Sequence, residues 1–135
     1  RAAFWDDFAA GVDGRMLYST IRWTEDVSRE NWSGGGNYLG CTIYPAPYGL
    51  TKGIRWETLR DGLDDHDYLV LLRRALEALP AEGHGASAGA AAAAREIVND
   101  DQLVRRIRTP EELHRVRDRV AELIEALQPA AGAKP

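Results

Sequence analysis

One segment, residues 54–69, constrains the fold of this 135-residue chain more than any other. It reads Ile-Arg-Trp-Glu-Thr-Leu-Arg-Asp-Gly-Leu-Asp-Asp-His-Asp-Tyr-Leu, so a glycine and a dense acidic run fall near its middle. We predict one helical region from about residue 53 to 79, although Gly62 costs a helix about 1 kcal/mol relative to Ala. A set of leucines that step by three and four residues gives this region a broad apolar face, which needs a larger body to pack against. These leucines are Leu69, Leu72, Leu76 and Leu79.

The N-terminal part of the chain predicts a helix, a glycine turn and a strand. Residues 1–10 favour a helix, because three aromatic side chains fall on one face at helical spacing. Gly11 and Gly14 then end the helix and turn the chain. Residues 16–23 are apolar and β-branched, and they predict a strand whose first half is buried on both faces. This order of elements is half of a βα repeat. The three aromatic residues are Phe4, Trp5 and Phe8.

A long polar loop is predicted over residues 24–37, and a second short strand over residues 42–44, which Pro45 ends. Residues 82–94 contain three glycines and a run of five alanines, and the alanines favour helix in the second half of this segment.

The clearest helix begins at Thr109, which predicts an N-cap and forms a capping box with Glu112. Pro110 suits the first helical position. The final residues, 129–135, are expected to be a disordered tail.

The composition excludes some classes of function. The formal net charge is −4, whereas a nucleic-acid-binding protein is usually basic. Six arginines between residues 105 and 119 are interleaved with acidic residues, which indicates a solvated helix face rather than a nucleic-acid site. The longest apolar runs are too short to cross a bilayer. The single cysteine and three widely separated histidines predict no metal site and no cofactor. The chain starts at Arg1 without a signal peptide, and we interpret this end as a cut.

The acidic run of residues 57–67 allows two interpretations. Asp61 and Asp65 would share a helix face, as a metal or acid–base site requires. The structural interpretation is favoured: the helix is interrupted at Gly62, and Asp64 and Asp65 cap its second half. Arg55 and Arg60 are within reach of the same carboxylates.

Aromatic residues before this helix provide candidate substrate-binding positions. Sugar rings present apolar C–H faces that stack on Tyr and Trp, whose polar tips form hydrogen bonds. Trp23 ends the first predicted strand where a loop begins, so a ligand-facing role and a core role are equally supported. Tyr18 lies in the middle of that strand, which favours the core. Tyr44 ends the second predicted strand.

Together these residues resemble the C-terminal end of the glycoside hydrolase family 123-like proteins, also labelled domain of unknown function 4091. The shared pattern is an aromatic strand ending in Trp, a polar glycine-containing loop, a Tyr-Pro pair, and a helix of the form Ile-Arg-x-Glu-x-Leu-Arg-Asp-Gly-x-x-Asp-x-x-Tyr-Leu. Here the pair is Tyr44-Pro45 and the helix motif occupies residues 54–69. The resemblance covers roughly residues 1–128.

The resemblance implies an α/β fold in the full protein, a (β/α)8 barrel. This chain, mostly α, would supply the last helix–strand–helix part over residues 1–80 and a helical extension over residues 81–128. It also implies hydrolysis of β-linked N-acetylhexosamine by substrate-assisted catalysis, and a secreted or cell-envelope location. The family's catalytic Asp-Glu pair lies on an earlier strand that this chain does not contain. We therefore expect no catalytic residue here and an inactive fragment, with Trp23, Tyr18 and Tyr44 binding the carbohydrate substrate. The alternative is a non-catalytic helical structural or interaction module, with no nucleic-acid or membrane partner in either case.

Overall fold

The computed structural model describes residues 1–16, 42–79 and 87–128, without the side chains of Tyr44, Pro45 and Ser87. The chain forms two compact units. The first combines Arg1–Asp13 with the chain from Gly62 onward, and the second is Gly14–Asp61. We call them the helical unit and the hairpin unit.

The helical unit contains most of the secondary structure. Helix α1 spans Ala2–Ala9, α2 spans Ile54–Glu77 and belongs to this unit from Gly62, and α3 spans Ser87–Asn99. A short α4 at Leu103–Arg106 and the long α5 at Pro110–Leu127 follow. Helix α3 packs on α5, and α1 packs on α4.

One apolar core holds the helical unit together. Helices α1, α2, α3 and α5 all contribute to it, and each buries a stripe of apolar side chains. The core includes Trp5, Phe8, Leu69, Leu72, Ala94, Val120 and Leu123. The sequence predicts that the leucine face of α2 packs against a larger body, but in the structure it packs in a core with α1, α3 and α5 of this chain.

Phe8 shows how charged side chains complete this packing. The Arg73 guanidinium carbon lies 3.9 Å from the centre of the Phe8 ring, a distance at which a cation and an aromatic face attract each other. The His66 ring meets the same ring edge-to-face, with the centroids 6.0 Å apart. Helix α1 is therefore held against α2 by polar as well as apolar side chains.

The hairpin unit contains two short antiparallel strands. Strand β1 is Ile43–Ala46 and β2 is Gly49–Lys52, paired so that Ile43 faces Lys52 and Ala46 faces Gly49. The Gly53 amide donates a hydrogen bond of 2.8 Å to the Thr42 carbonyl, which connects the base of the hairpin to the start of α2. The Lys52 ammonium lies 5.7 Å from the centre of the Trp56 ring in the first turn of α2.

The predicted barrel fold is wrong for the described residues. They are mostly helical, and their only strands are two four-residue strands that form an antiparallel hairpin rather than a parallel βα unit. The strand predicted over residues 16–23 is not seen at Met16, which is outside any strand and 93% exposed; its other residues lie outside the described ranges. The buried apolar face that suggested a barrel wall belongs instead to a helix bundle.

The helices predicted from the sequence agree better with the structure than the predicted barrel does. The predicted helices of residues 1–10 and 53–79 correspond to α1 and α2, and the alanine-rich segment forms α3. The Thr109 capping box at the start of α5 is confirmed, with both of its hydrogen bonds present. The predicted tail at residues 129–135 lies outside the described residues. Among the described helices, none combines the length and apolar character needed to cross a membrane.

Candidate functional site

The polar centre of the helical unit is Asp65, a carboxylate that is only 1% exposed. It lies on the inner face of α2, between the buried residues Gly62 and Leu69. Arg1, which precedes α1, donates two hydrogen bonds to it: Nε to Oδ2 at 2.6 Å and Nη2 to Oδ1 at 2.8 Å. This two-pronged geometry matches a planar guanidinium to a planar carboxylate and is stronger than a single contact.

Two further side chains complete the contacts of Asp65. The indole Nε1 of Trp5 donates to Oδ2 at 3.1 Å, and the Nε of Arg117 lies 3.4 Å from Oδ1. The Arg117 guanidinium also lies 5.2 Å from the centre of the Tyr68 ring. Asp65 thus connects the beginning of α1, the middle of α2 and the middle of α5. We call Arg1, Trp5, Asp65 and Arg117 the Asp65 cluster.

The geometry of the Asp65 cluster limits its chemistry. A general base or nucleophile must reach its substrate with a free oxygen. Both oxygens of Asp65 already contact two donors each, and almost none of the carboxylate is exposed. Because the Arg1 and Arg117 side chains are 13% and 30% exposed, they link the buried charge to the surface. The cluster is therefore built to join helices, since a buried carboxylate needs paired charges and hydrogen bonds.

Gly62 brings α1 close to α2. A Cβ at this position would overlap the ring of Phe4 and would lie 3.2 Å from the Arg1 Cα. Only a residue without a side chain permits this approach, so the glycine that weakens an isolated helix stabilises the packed pair. The close contact also places Arg1 within reach of Asp65, three residues along the same helix face.

The remaining acidic residues of α2 point away from this centre. Asp64 and Asp67 are exposed, and Arg60 pairs with Glu57 and Asp61 on the surface. The interpretation of Asp64 and Asp65 as caps of an interrupted helix is wrong, because α2 runs through Gly62 without a break. Within the described ranges, no group of His, Cys, Asp and Glu could hold a metal ion.

The predicted substrate-binding residues are not brought together in the described part of the chain. Trp23 and Tyr18 lie outside the described residues. Tyr44 occupies β1 opposite Thr51, and its side chain is not described. Their roles in sugar binding stay predictions. A different aromatic residue, Tyr48, is fully exposed at the turn of the hairpin.

Sequence reasoning missed the partners of Asp65. The helical spacing of Trp5 predicts only an apolar helix face, and the interleaved charges around Arg117 predict only a solvated face. One signal could have found the cluster: Asp65 lies four residues before Leu69 and three after Gly62, so it interrupts the apolar stripe of α2 with a charge. A charge on a buried face needs a partner of opposite sign.

Comparisons with models of protein families, with curated proteins and with solved structures gave no match to this chain.

Proposed function

We propose that this chain is the C-terminal part of a glycoside hydrolase similar to the family 123-like proteins, and that it supplies scaffold rather than catalytic groups. The substrate class is β-linked N-acetylhexosamine, cleaved by participation of the substrate's own acetamide. Such substrate-assisted hydrolysis is a recognised exception to the two-carboxylate scheme. The reacting carboxylates come from another part of the longer protein, since no stretch of this chain matches the family's Asp-Glu pair.

One observation carries the scaffold role. The motif on which the resemblance depends contains Gly62, Asp65 and Tyr68, and all three lie on the inner face of α2 at the contacts with α1 and α5. The motif positions thus coincide with the Asp65 cluster and its close helix contact. A role in helix packing explains why glycine and aspartate occupy these positions. A role in a solvent-exposed catalytic site would not explain them.

The test uses the longer protein that the proposal requires, expressed from the reading frame that contains this chain. Its hydrolysis of an aryl N-acetyl-β-hexosaminide is measured for the parent and for two variants. Trp23→Ala is expected to lower kcat/KM by about tenfold or more with a small change in melting temperature, because it removes a stacking surface. Asp65→Asn is expected to lower the melting temperature while folded molecules keep their kcat/KM.

Three outcomes would contradict the proposal. The first is a reading frame that starts near Arg1, because the chain would then lack the catalytic pair. The second is a longer protein that does not hydrolyse the substrate. The third is an Asp65→Asn variant that stays folded and loses kcat/KM, which would place Asp65 in the chemistry. Equal loss of activity and stability in Trp23→Ala would assign Trp23 to the core.

The second candidate function is a non-catalytic interaction module. A surface groove of the helical unit favours it, because half-buried apolar residues and exposed arginines line this groove. The same reading-frame observation separates the two functions, since an interaction module needs no catalytic partner segment.

A further inference from the structure

A groove of about 400 Å³ lies between the end of α3, helix α4 and the first half of α5. Half-buried apolar side chains form its floor: Ile97, Ile107 and Val116. Leu103 and the charged residues Arg106, Glu112, Arg115 and Arg119 complete the lining. The groove lies within the helical unit and shares no lining residue with the Asp65 cluster. We call it the arginine groove.

The charge of this region is opposite to that of the whole chain. Three arginines and one glutamate line the groove, a formal charge of +2, whereas the whole chain carries −4. Arg115 has no carboxylate partner within 4.0 Å among the described residues, although its charge helps to lower the pKa of Glu112. Arg106 pairs with Asp100 and Arg119 pairs with Glu122, yet their side chains remain 61% and 54% exposed. Exposed ion pairs are weak, so these arginines can exchange partners at little cost.

The apolar residues and the arginines of the arginine groove together indicate which kind of ligand it binds. Apolar residues at the bottom of a groove favour a ligand with apolar side chains, and arginines at its edges favour carboxylates. Nucleic acid fits less well, because phosphates gain nothing from the apolar floor of Ile97, Ile107 and Val116. From Glu112 to Arg119 the groove follows α5 for about 10 Å, the length of roughly two helical turns.

We propose that the arginine groove binds an acidic amphipathic helical segment of a partner protein. Apolar residues on one face of that segment cover Ile107 and Val116, while flanking carboxylates pair with Arg106, Arg115 and Arg119. This proposal does not depend on the glycosidase assignment, and either can fail without the other.

The test uses the full 135-residue chain and a fluorescein-labelled designed peptide of about 14 residues, long enough to form a helix on binding. The peptide carries leucines at helical spacing on one face and glutamates on both flanks. A second peptide has lysine in place of every glutamate. Binding is measured by fluorescence anisotropy at two salt concentrations, because charge-assisted binding weakens as salt rises.

Arg115→Glu is the test variant and Arg95→Glu is its matched control, since Arg95 is exposed on α3 outside the groove. The glutamate peptide is expected to bind at least about tenfold more tightly than the lysine peptide. Arg115→Glu should weaken binding of the glutamate peptide by about fivefold to tenfold and strengthen binding of the lysine peptide. Arg95→Glu should change either affinity by less than about twofold. Ile107→Ser should weaken both peptides, because it removes part of the apolar floor.

Far-UV circular dichroism confirms that each variant is folded before it is compared. Equal affinities for the two peptides, no binding of either, or equal effects of Arg95→Glu and Arg115→Glu would overturn the proposal. Tight binding of a single-stranded DNA oligonucleotide that is lost in Arg115→Glu, without binding of the glutamate peptide, would identify a nucleic-acid surface instead.

Discussion

At the scale of single residues, position on α2 decides what an aspartate does. Asp64 and Asp65 are adjacent in sequence, but one is exposed and the other is 1% exposed. A step of one residue turns the side chain by about 100° around a helix, which is enough to move it from solvent to core. The inner aspartate then requires donors for both oxygens, and Arg1, Trp5 and Arg117 provide them.

Asp65→Asn should destabilise the helical unit by about 2 to 4 kcal/mol, because removing one charge from a buried pair leaves the other without compensation. The amide has the same size as the carboxylate, so the effect reports charge and hydrogen bonding rather than packing. Asp64→Asn is the matched control and should change the free energy of unfolding by less than about 0.5 kcal/mol. Urea denaturation followed by far-UV circular dichroism measures both. Equal stability of the two variants would show that the Asp65 cluster does not hold the helices together.

At the scale of secondary structure, α5 shows what local sequence can determine. The Thr109 hydroxyl accepts a hydrogen bond of 3.2 Å from the Glu112 amide. In return, Glu112 Oε2 accepts bonds from the backbone amides of Arg108 and Thr109, at 2.6 and 3.3 Å. These contacts join residues within four positions of each other, so the motif in the sequence was sufficient to predict them. The hairpin was harder to predict, since its pairing continues through Pro45.

The capping box should make the stability of α5 depend on pH. The backbone amide of Arg108 is the main cause that lowers the pKa of Glu112 below its usual 4.5. A carboxyl whose pKa is lowered by folding stabilises the folded state above its unfolded pKa, and loses this effect as pH falls through the folded value. Glu112→Gln should therefore be less stable than the parent at pH 7. The difference should shrink as pH falls below about 4.5.

Glu111→Gln, which changes an exposed neighbour in the same helical turn, is the control and should show no comparable pH-dependent difference. Thr109→Ala should cost about 1 kcal/mol at neutral pH, because it removes the other half of the box. Thermal unfolding of the parent and the variants between pH 3 and pH 7 tests the contributions of Glu112 and Thr109 to the capping box. A Glu112→Gln difference that does not vary with pH would contradict the assigned role of the carboxylate.

At the scale of the whole molecule, the limits of sequence reasoning have a physical cause. Helical periodicity is local, so α1, α2 and α5 could be predicted from the spacing of their apolar residues. The partners of those faces are set by tertiary packing. Leu69 could equally face a barrel or a neighbouring helix, and only the structure places it in the same helical core as Trp5 and Leu123. The Asp65 cluster joins residues 1 and 117, a separation that no local pattern reveals.

A core shared by four helices implies that the helical unit unfolds as one cooperative body. Leu72 on α2 is fully buried, whereas the adjacent Leu71 is 49% exposed. Leu72→Ala and Leu123→Ala should each lower the free energy of unfolding by about 2 to 5 kcal/mol, since each leaves a cavity in the same core. Leu71→Ala should cost less than about 1 kcal/mol, because solvent already reaches this side chain. If the helices unfold together, far-UV circular dichroism will show one transition in every variant, shifted in the two core variants. Loss of only part of the helical signal in Leu123→Ala, with the rest melting at the parent temperature, would mean that α5 folds separately from α1 and α2.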